Sequence, residues 1–228
     1  MLYQFINEKQ RYWLVKLCVI LLFIQSILPI VSIHKVTALE ATNDWQRIAA
    51  GRYHSLALTP DRGVVAWGSN GYGRTTVPKE AKANIVSVSA GQDHSLALTS
   101  TGKVIAWGGG RFNEAVIPEE VNDNEIISVM SGPVAFHSLA LSSEGEVFAW
   151  GNNSKGQSTV PARAKHDIVS IAAGYWHSLA LTSTGEVIAW GDDGYGQSTV
   201  PDDAKSGIVA ISAGGTHSLT LTSTGRVI

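Results

Sequence analysis

The stretch GYWHSLALTSTGEVIAWG, residues 174–191, recurs along the chain in five copies, of which the last is partial. Its histidine falls at five positions, which are 40, 43, 40 and 40 residues apart: His54, His94, His137, His177 and His217. A period of about 40 residues is typical of stacked repeats such as solenoids and propellers. The block is therefore a structural repeat, and its His-Ser pair does not mark a unique active site.

Each repeat contains three short apolar runs, such as IVSVSAG, HSLALT and KVIAWG within residues 85–108. Runs this short, bounded by Gly, Ser and Thr, predict strands rather than helices. Glycine in the TSTG, SSEG and TPDRG turns permits the positive φ of a tight hairpin. A fourth strand is expected to end at TVP, because Pro78, Pro161 and Pro201 suit a sheet edge. Each repeat is thus predicted to be a four-stranded antiparallel blade.

The alternation of side chains along HSLALT predicts how the blades pack. The histidine and both leucines point to one face of the strand, and the small residues point to the other. We expect the bulky face of one blade to pack on the small face of the next. The tryptophans of the AWG runs are expected to add the largest apolar surface to this contact: Trp67, Trp107, Trp150 and Trp190.

The repeat G-x-x-H-S-L-A-L-T-x-x-G-x-V-x-A-W-G-x-N-x-x-G-Q-x-x-V-P resembles that of the regulator of chromosome condensation (RCC) family. The resemblance covers Trp45 to Ile228 and implies an all-β, seven-bladed β-propeller. The short period is closer to bacterial members, among them an exported β-lactamase inhibitor. The family also includes guanine-nucleotide exchange factors and scaffolds, so the resemblance alone implies no single function.

The number of repeats departs from this family pattern. Four blades are complete and the fifth stops at Val227-Ile228, whereas seven blades would need about 280 residues at this period. We therefore expect an incomplete propeller of four blades plus part of a fifth, and a truncated reading frame or a fragment. An arc of this kind is expected to self-associate through its open strand edges.

The first 38 residues have a different composition from the repeats. Lys9, Arg11 and Lys16 precede an apolar run, residues 17–33, and small residues follow at 36–38. This pattern predicts a signal peptide or, if it is not cleaved, an N-terminal membrane anchor. The repeats are therefore expected to be secreted or displayed on the cell surface.

The predicted organisation after the signal is a short linker and a series of repeats. The boundaries are approximately 39–44 for the linker, then 45–84, 85–124, 125–167, 168–207 and, in part, 208–228.

The repeated His-Ser pair does not predict catalysis. Neighbouring residues on a strand point to opposite faces, so the two side chains cannot act as base and nucleophile within a blade. Histidines on separate blades also cannot converge at the ~2.0–2.1 Å that zinc requires. We interpret them as buried imidazoles bonded to backbone, and expect no enzyme, cofactor or metal. The net charge of −2, without a basic run in the repeats, argues against nucleic acid.

The loops that vary between repeats are the candidate binding site. They precede HSLALT and follow Trp-Gly, and in an antiparallel blade both lie at one end. The candidate partner-binding residues are Arg52, Tyr53, Tyr72, Asp93, Arg111, Phe112, Phe136, Tyr175, Trp176, Asp192 and Tyr195. Aromatic side chains with mixed charges are typical of protein-binding surfaces. The alternative is that they cover blade edges or vary freely in solvated turns.

Two functional hypotheses follow. The first is an exported, non-enzymatic propeller scaffold that binds a protein, or a cell-wall polymer, through this face. The alternative, implied by the resemblance, is a regulator of another enzyme: an inhibitor of an exterior hydrolase or a guanine-nucleotide exchange factor. A catalytic propeller is not favoured, because no single blade carries carboxylates or histidines directed at the axis.

Overall fold

The computed structural model of the chain describes residues 47–228, so the predicted signal segment and linker lie outside the described residues. These residues form consecutive antiparallel sheets, each built from strands adjacent in sequence. The strands are β1 (Ile48–Ala50), β2 (His54–Leu58), β3 (Val64–Gly68), β4 (Ile85–Ala90), β5 (His94–Thr99), β6 (Val104–Gly108), β7 (Ile126–Met130), β8 (His137–Ser142), β9 (Val147–Gly151), β10 (Ile168–Ala173), β11 (His177–Thr182), β12 (Val187–Gly191), β13 (Ile208–Ala213) and β14 (Ser218–Thr222). The predicted all-β blade architecture is confirmed.

Each blade contains three strands, not the predicted four; the last sheet, β13-β14, has two. The segments expected to form a fourth strand enter short helices instead: 3-10 turns at Lys79–Lys82, Ala162–Ala164 and Asp202–Ala204, and α1 at Glu119–Asn122. No helix in the described part of the chain could span a bilayer.

A local loop takes up the backbone groups that a fourth strand would need. In the third blade, Asn153 Oδ1 accepts the N–H of Ser158, and its Nδ2 donates to Thr159 Oγ1. The N–H of Thr159 then bonds to the carbonyl of Gly156. Pro161, with ψ 152° and no N–H to donate, leads into the 3-10 turn. The TVP segment therefore ends a loop.

The hairpins between the second and third strands follow the predicted glycine rule with one exception. Gly102, Gly145 and Gly185 have φ values of 75°, 77° and 80°. In the first blade the left-handed residue is Arg62, at φ 59°. Gly63 is needed there for another reason, because a Cβ at this position would lie 2.5 Å from the Lys82 carbonyl oxygen.

The core lies between successive blades, as the strand alternation predicts. Leu139 and Leu141 of the third blade pack with Ala180, Ile188 and Trp190 of the fourth. The same kinds of side chain recur between the second and third blades and between the first and second. Bulky faces therefore pack on small faces at each of these boundaries.

The tryptophans show what this packing buries. Trp107 and Trp150 are 7% and 5% exposed, and each contributes to a core cluster with the preceding blade. Trp67 on the first described blade is 55% exposed. Burial of the AWG tryptophan therefore depends on a preceding blade rather than on its own sheet.

Candidate functional site

A row of histidine–serine hydrogen bonds crosses the blade boundaries. Nε2 of each histidine pairs with the serine hydroxyl of the next blade: His54 with Ser95, His94 with Ser138 and His137 with Ser178, each at 2.9 Å, and His177 with Ser218 at 3.1 Å. We call these eight residues the His–Ser row. The predicted bond from histidine to backbone is wrong, because the next blade places a hydroxyl within reach.

The serines identify the donor in this row. Ser95 Oγ donates its single proton to the carbonyl of Arg74 at 2.9 Å, and Ser178 Oγ donates to that of Gln157 at the same distance. Each hydroxyl must therefore accept its second hydrogen bond, so His54 and His137 donate from Nε2. A serine that already donates to a fixed carbonyl, and lies buried between sheets, is not an available nucleophile.

The glycine of G-x-x-H makes room for the imidazole. A Cβ built on Gly91 would lie 2.5 Å from Nδ1 of His94, so the ring lies against the glycine Cα. The Gly91 N–H also bonds to the His94 carbonyl at 2.9 Å. Nδ1 is buried and has no hydrogen-bond partner among the described residues.

Burial keeps these imidazoles neutral. Desolvation, with a smaller contribution from the Arg74 charge, lowers the pKa of His54 to about 4. Desolvation, followed by neighbouring histidines, lowers the pKa of His94 and of His137 to about 3, and burial also lowers the pKa of His177. Within residues 47–228, no group of three His, Cys, Asp or Glu side chains is placed to hold a metal ion.

In each of the first four blades, one residue of the loop that follows Trp-Gly connects the blade boundary to the loop surface. In the first three blades its carbonyl accepts both the serine hydroxyl and the tryptophan Nε1 of the next blade, as the Gln157 carbonyl does from Ser178 and Trp190, each at 2.9 Å. In the fourth blade the Gln197 carbonyl accepts the Ser218 hydroxyl at 2.7 Å. The buried side chain of the residue then binds its own loop, where Gln157 Oε1 accepts the N–H of Lys155. We call these the loop-end residues: Arg74, Glu114, Gln157 and Gln197.

The two varied loops of each blade lie at the same rim, as predicted. Ser69 donates its N–H to the carbonyl of Tyr53 at 2.8 Å, and Asn152 donates its N–H to the carbonyl of Phe136 at the same distance. The equivalent bonds in the second and fourth blades link Gly109 with Asp93 and Asp192 with Trp176. We call this end the varied rim, and the opposite end, with the TSTG-type turns, the hairpin rim.

A groove of about 620 Å³ opens on the varied rim. Eight of the eleven predicted residues line it: Tyr53, Tyr72, Asp93, Arg111, Phe112, Phe136, Tyr175 and Trp176. We call it the aromatic groove. The sequence prediction missed four further lining residues: Arg74, Gln92, Asn152 and Ser154.

Four aromatic rings form a continuous series along the groove. Phe112 meets Phe136 edge-on, with ring centroids 5.3 Å apart, and Phe136 lies 6.0 Å from Tyr175. Tyr175 stacks on Trp176 at 4.2 Å. These residues come from three different blades, so the contacts join loops that are far apart in sequence. Mutual packing holds the rings while leaving part of their surface open to solvent.

Arg74 anchors the other end of the groove. It forms a salt bridge with Asp93 at 2.9 Å, and its guanidinium carbon lies 5.3 Å from the centroid of Tyr53 and 5.8 Å from that of Tyr72. A comparison of the repeats could have identified Arg74 as a candidate site residue. Two other complete repeats have glutamine at the loop-end position, and arginine there is a departure.

Three predicted residues lie outside the groove lining. Arg52 donates to Gln92 Oε1 and lies 5.1 Å from the Tyr53 ring centroid, beside the groove. Asp192 pairs with Lys155 at 3.1 Å, so this carboxylate has an internal partner. Tyr195, 77% exposed, borders a separate cavity of about 280 Å³ between the fourth and fifth blades.

Four stretches of the chain match the sequence model of a family described as "Regulator of chromosome condensation (RCC1) repeat". They are residues 45–74, 85–114, 134–157 and 168–197, which together make up half of the chain. No curated protein matches the chain in sequence.

Solved propellers are similar in fold. Prp20p from Saccharomyces cerevisiae, described with its binding to Gsp1p and histones, is 26% identical over 79% of this chain and 55% of its own, with a TM-score of 0.63. The same yeast RCC1 bound to Kap60 is 27% identical over 79% and 54%, with a TM-score of 0.64. The CRINKLY WD40 ectodomain of the Arabidopsis thaliana receptor kinase ACR4, at 22% identity over 80% and 70% and a TM-score of 0.65, shows likeness of fold alone. The chain spans about half the length of the yeast structures.

Proposed function

We propose a protein-binding role for this chain, which belongs to the regulator of chromosome condensation (RCC1) repeat family. In this proposal the chain is a non-enzymatic propeller scaffold, and the aromatic groove is its binding surface. The observation that carries the proposal is that varied loops from successive blades bring aromatic rings into one groove, while the hairpin rim keeps a nearly constant sequence. Clustered, partly exposed aromatic side chains are typical anchors of protein interfaces.

The solved relatives support a protein as the partner class. Prp20p is described as binding Gsp1p and histones, and yeast RCC1 has been solved with Kap60. Gsp1p, histones and Kap60 are partners of the yeast protein, and for this chain they support only the class of partner. A scaffold without catalysis is further supported by the His–Ser row, since its buried imidazoles and serine hydroxyls are used between blades.

The proposal includes export to the cell surface or the exterior. It rests on the basic and apolar pattern of residues 1–38. Mass spectrometry of the N-terminus of the chain recovered from outside the cell is expected to show cleavage near residue 38, or an intact N-terminus in the membrane fraction. Recovery of the chain only from the cytoplasm would contradict this part of the proposal.

Replacement of Tyr175 and Trp176 by alanine tests the binding surface. The double variant is expected to lose capture of partner proteins from cell-envelope extracts, because it removes half of the ring series. Its melting temperature should fall by no more than about 4 °C, which corresponds to about 1 kcal/mol for a domain of this size. The matched control is Glu144→Ala, an exposed residue of the hairpin rim.

Two results would contradict the proposal. Unchanged capture by the double variant would remove the aromatic groove from the binding surface. Unfolding of the double variant would instead assign Tyr175 and Trp176 to the core.

A further inference from the structure

The aromatic groove carries an excess of positive charge. Its lining contains Arg74 and Arg111 but one acidic side chain, Asp93. Two further cations lie beside the groove rings: Arg52, 5.1 Å from the Tyr53 centroid, and Lys155, 5.7 Å from the Trp176 centroid. Asp192 pairs with Lys155, so Arg52 and Arg111 account for the excess. The chain as a whole has a net charge of −2. The positive charge is therefore a local property of the groove.

Arg74 is held in a fixed position. Its side chain is 5% exposed, its Nε donates to the Gly71 carbonyl at 2.6 Å and its Nη1 donates to the Gln92 carbonyl at 3.0 Å. Asp93 pairs with the same Nη1. Nη2 has no hydrogen-bond acceptor among residues 47–228. A guanidinium fixed in this way loses little side-chain entropy when it binds an added acceptor.

Arg111 has no acidic partner in the described part of the chain and is exposed beside Phe112. The nearest acidic residue in sequence, Glu114, is fully buried, and its Oε2 accepts the N–H groups of Gly110 and Phe112 at 3.2 Å. This carboxylate folds the loop beneath Arg111 and does not line the groove. The Arg111 charge is therefore available to a ligand.

We infer that the aromatic groove binds an acidic peptide segment in which an aromatic side chain lies between carboxylates. This inference rests on the proposed function and specifies the chemistry of the partner. One carboxylate accepts a hydrogen bond from Nη2 of Arg74, whose Nε and Nη1 already have partners. A second pairs with the exposed Arg111 in the two-pronged geometry that guanidinium groups favour. The aromatic side chain packs on the series from Phe112 to Trp176. A nucleic acid is less suited, because Asp93 lies within the groove and the overall charge of the chain is negative.

The test uses the full chain and fluorescein-labelled synthetic peptides, with binding followed by fluorescence anisotropy. The probe is GEEFEEG, and the comparison peptides are GQQFQQG, which lacks charge, and GEEGEEG, which lacks the ring. We expect GEEFEEG to bind at least about tenfold more tightly than either, and to weaken as salt is raised.

Single variants then test whether Arg74 and Arg111 bind the carboxylates of the peptide. Arg74→Gln introduces the residue that is present at the equivalent positions 157 and 197, so the loop should still fold. Arg74→Gln and Arg111→Gln are each expected to weaken GEEFEEG binding by about tenfold or more, the range of a lost charge-assisted hydrogen bond. The matched control, Lys103→Gln, removes one positive charge from the hairpin rim and should leave binding within about twofold, since charges beyond a Debye length are screened.

Three results would overturn the inference: equal binding of GEEFEEG and GQQFQQG, no binding of GEEFEEG, or tighter binding of a twelve-residue oligothymidylate than of GEEFEEG. The inference and the proposed function can fail separately. If GEEFEEG fails while the Tyr175 and Trp176 double variant still loses partner capture, the groove binds a protein of other chemistry. If that double variant captures the partner normally, the proposed function fails.

Discussion

In the His–Ser row, the same two side chains meet at 2.9–3.1 Å at four successive blade boundaries. In the aromatic groove, by contrast, each blade contributes different side chains, among them tyrosine and arginine from the first and tyrosine and tryptophan from the fourth. The row is buried between sheets, whereas the groove is open at the varied rim. Both regions are built from the same repeats.

The difference shows how the repeat separates stability from recognition. Residues that contact the next blade are used again at each boundary, because every boundary poses the same packing problem. Residues on the varied rim also contact neighbouring blades, but through side chains that differ from one boundary to the next, such as the Phe112–Phe136 ring pair and the Arg74–Asp93 salt bridge. The loop-end residues join the two regions: the carbonyl of Arg74 belongs to the blade boundary, and its side chain lines the groove.

The largest expected effect is a loss of folding stability at acid pH, which acts on the buried His–Ser row. Burial lowers the pKa of His54, His94, His137 and His177 below 6.5, so the unfolded chain binds protons that the folded chain does not. The stability contributed by neutral histidines is present above about pH 6.5 and is lost as the pH falls towards the folded pKa values of about 3 to 4. The melting temperature should therefore fall steeply between pH 6.5 and 4.

The number of protons bound on unfolding, obtained from the pH dependence of the free energy of unfolding, checks this expectation. A melting temperature that stays constant between pH 6.5 and 4.5 would show that the imidazoles titrate normally, and the His–Ser row would lose its buried, neutral character.

The next largest effect is expected from His137→Ala. The variant removes a fully buried ring and its bond to Ser178, so the free energy of unfolding should fall by about 3 kcal/mol. Urea denaturation measures the change. The matched control is His166→Ala, whose side chain is 71% exposed and whose loss should cost less than about 0.5 kcal/mol. Equal changes in the free energy of unfolding for the two variants would show that the His–Ser row does not stabilise the fold.

The repeat pattern alone predicted much of the fold. Short apolar runs predicted the strands, and the alternation in HSLALT predicted that leucines would pack on alanines of the next blade. The antiparallel order predicted a shared rim for the varied loops, and the bond between Asn152 and Phe136 confirms it. These features depend on local periodicity, which is visible in the sequence.

Features that depend on the placement of one sheet against the next were not predictable in this way. Alternation places His94 and Ser138 on the packed faces of neighbouring blades. It does not fix the offset between the two sheets that brings His94 Nε2 within 2.9 Å of the Ser138 hydroxyl. The TVP segments do not form the expected fourth strand, because side-chain hydrogen bonds such as that from the Ser158 N–H to Asn153 Oδ1 hold them in a loop. Arg74 was overlooked because it stands in a position otherwise used to fold the loop. Tyr195 was grouped with the aromatic groove, but the loop that carries it borders a different cavity.

Site-specific photo-crosslinking tests most directly the central claim that the varied rim binds the partner and the hairpin rim does not. A benzoylphenylalanine residue would replace Tyr53, Phe112 or Tyr175 on the varied rim, and Glu144 or Thr184 on the hairpin rim. The account predicts that the three varied-rim positions crosslink to the same partner in cell-envelope extracts and that the two hairpin-rim positions do not. Crosslinking of that partner from Glu144 or Thr184, with none from the aromatic groove, would contradict it.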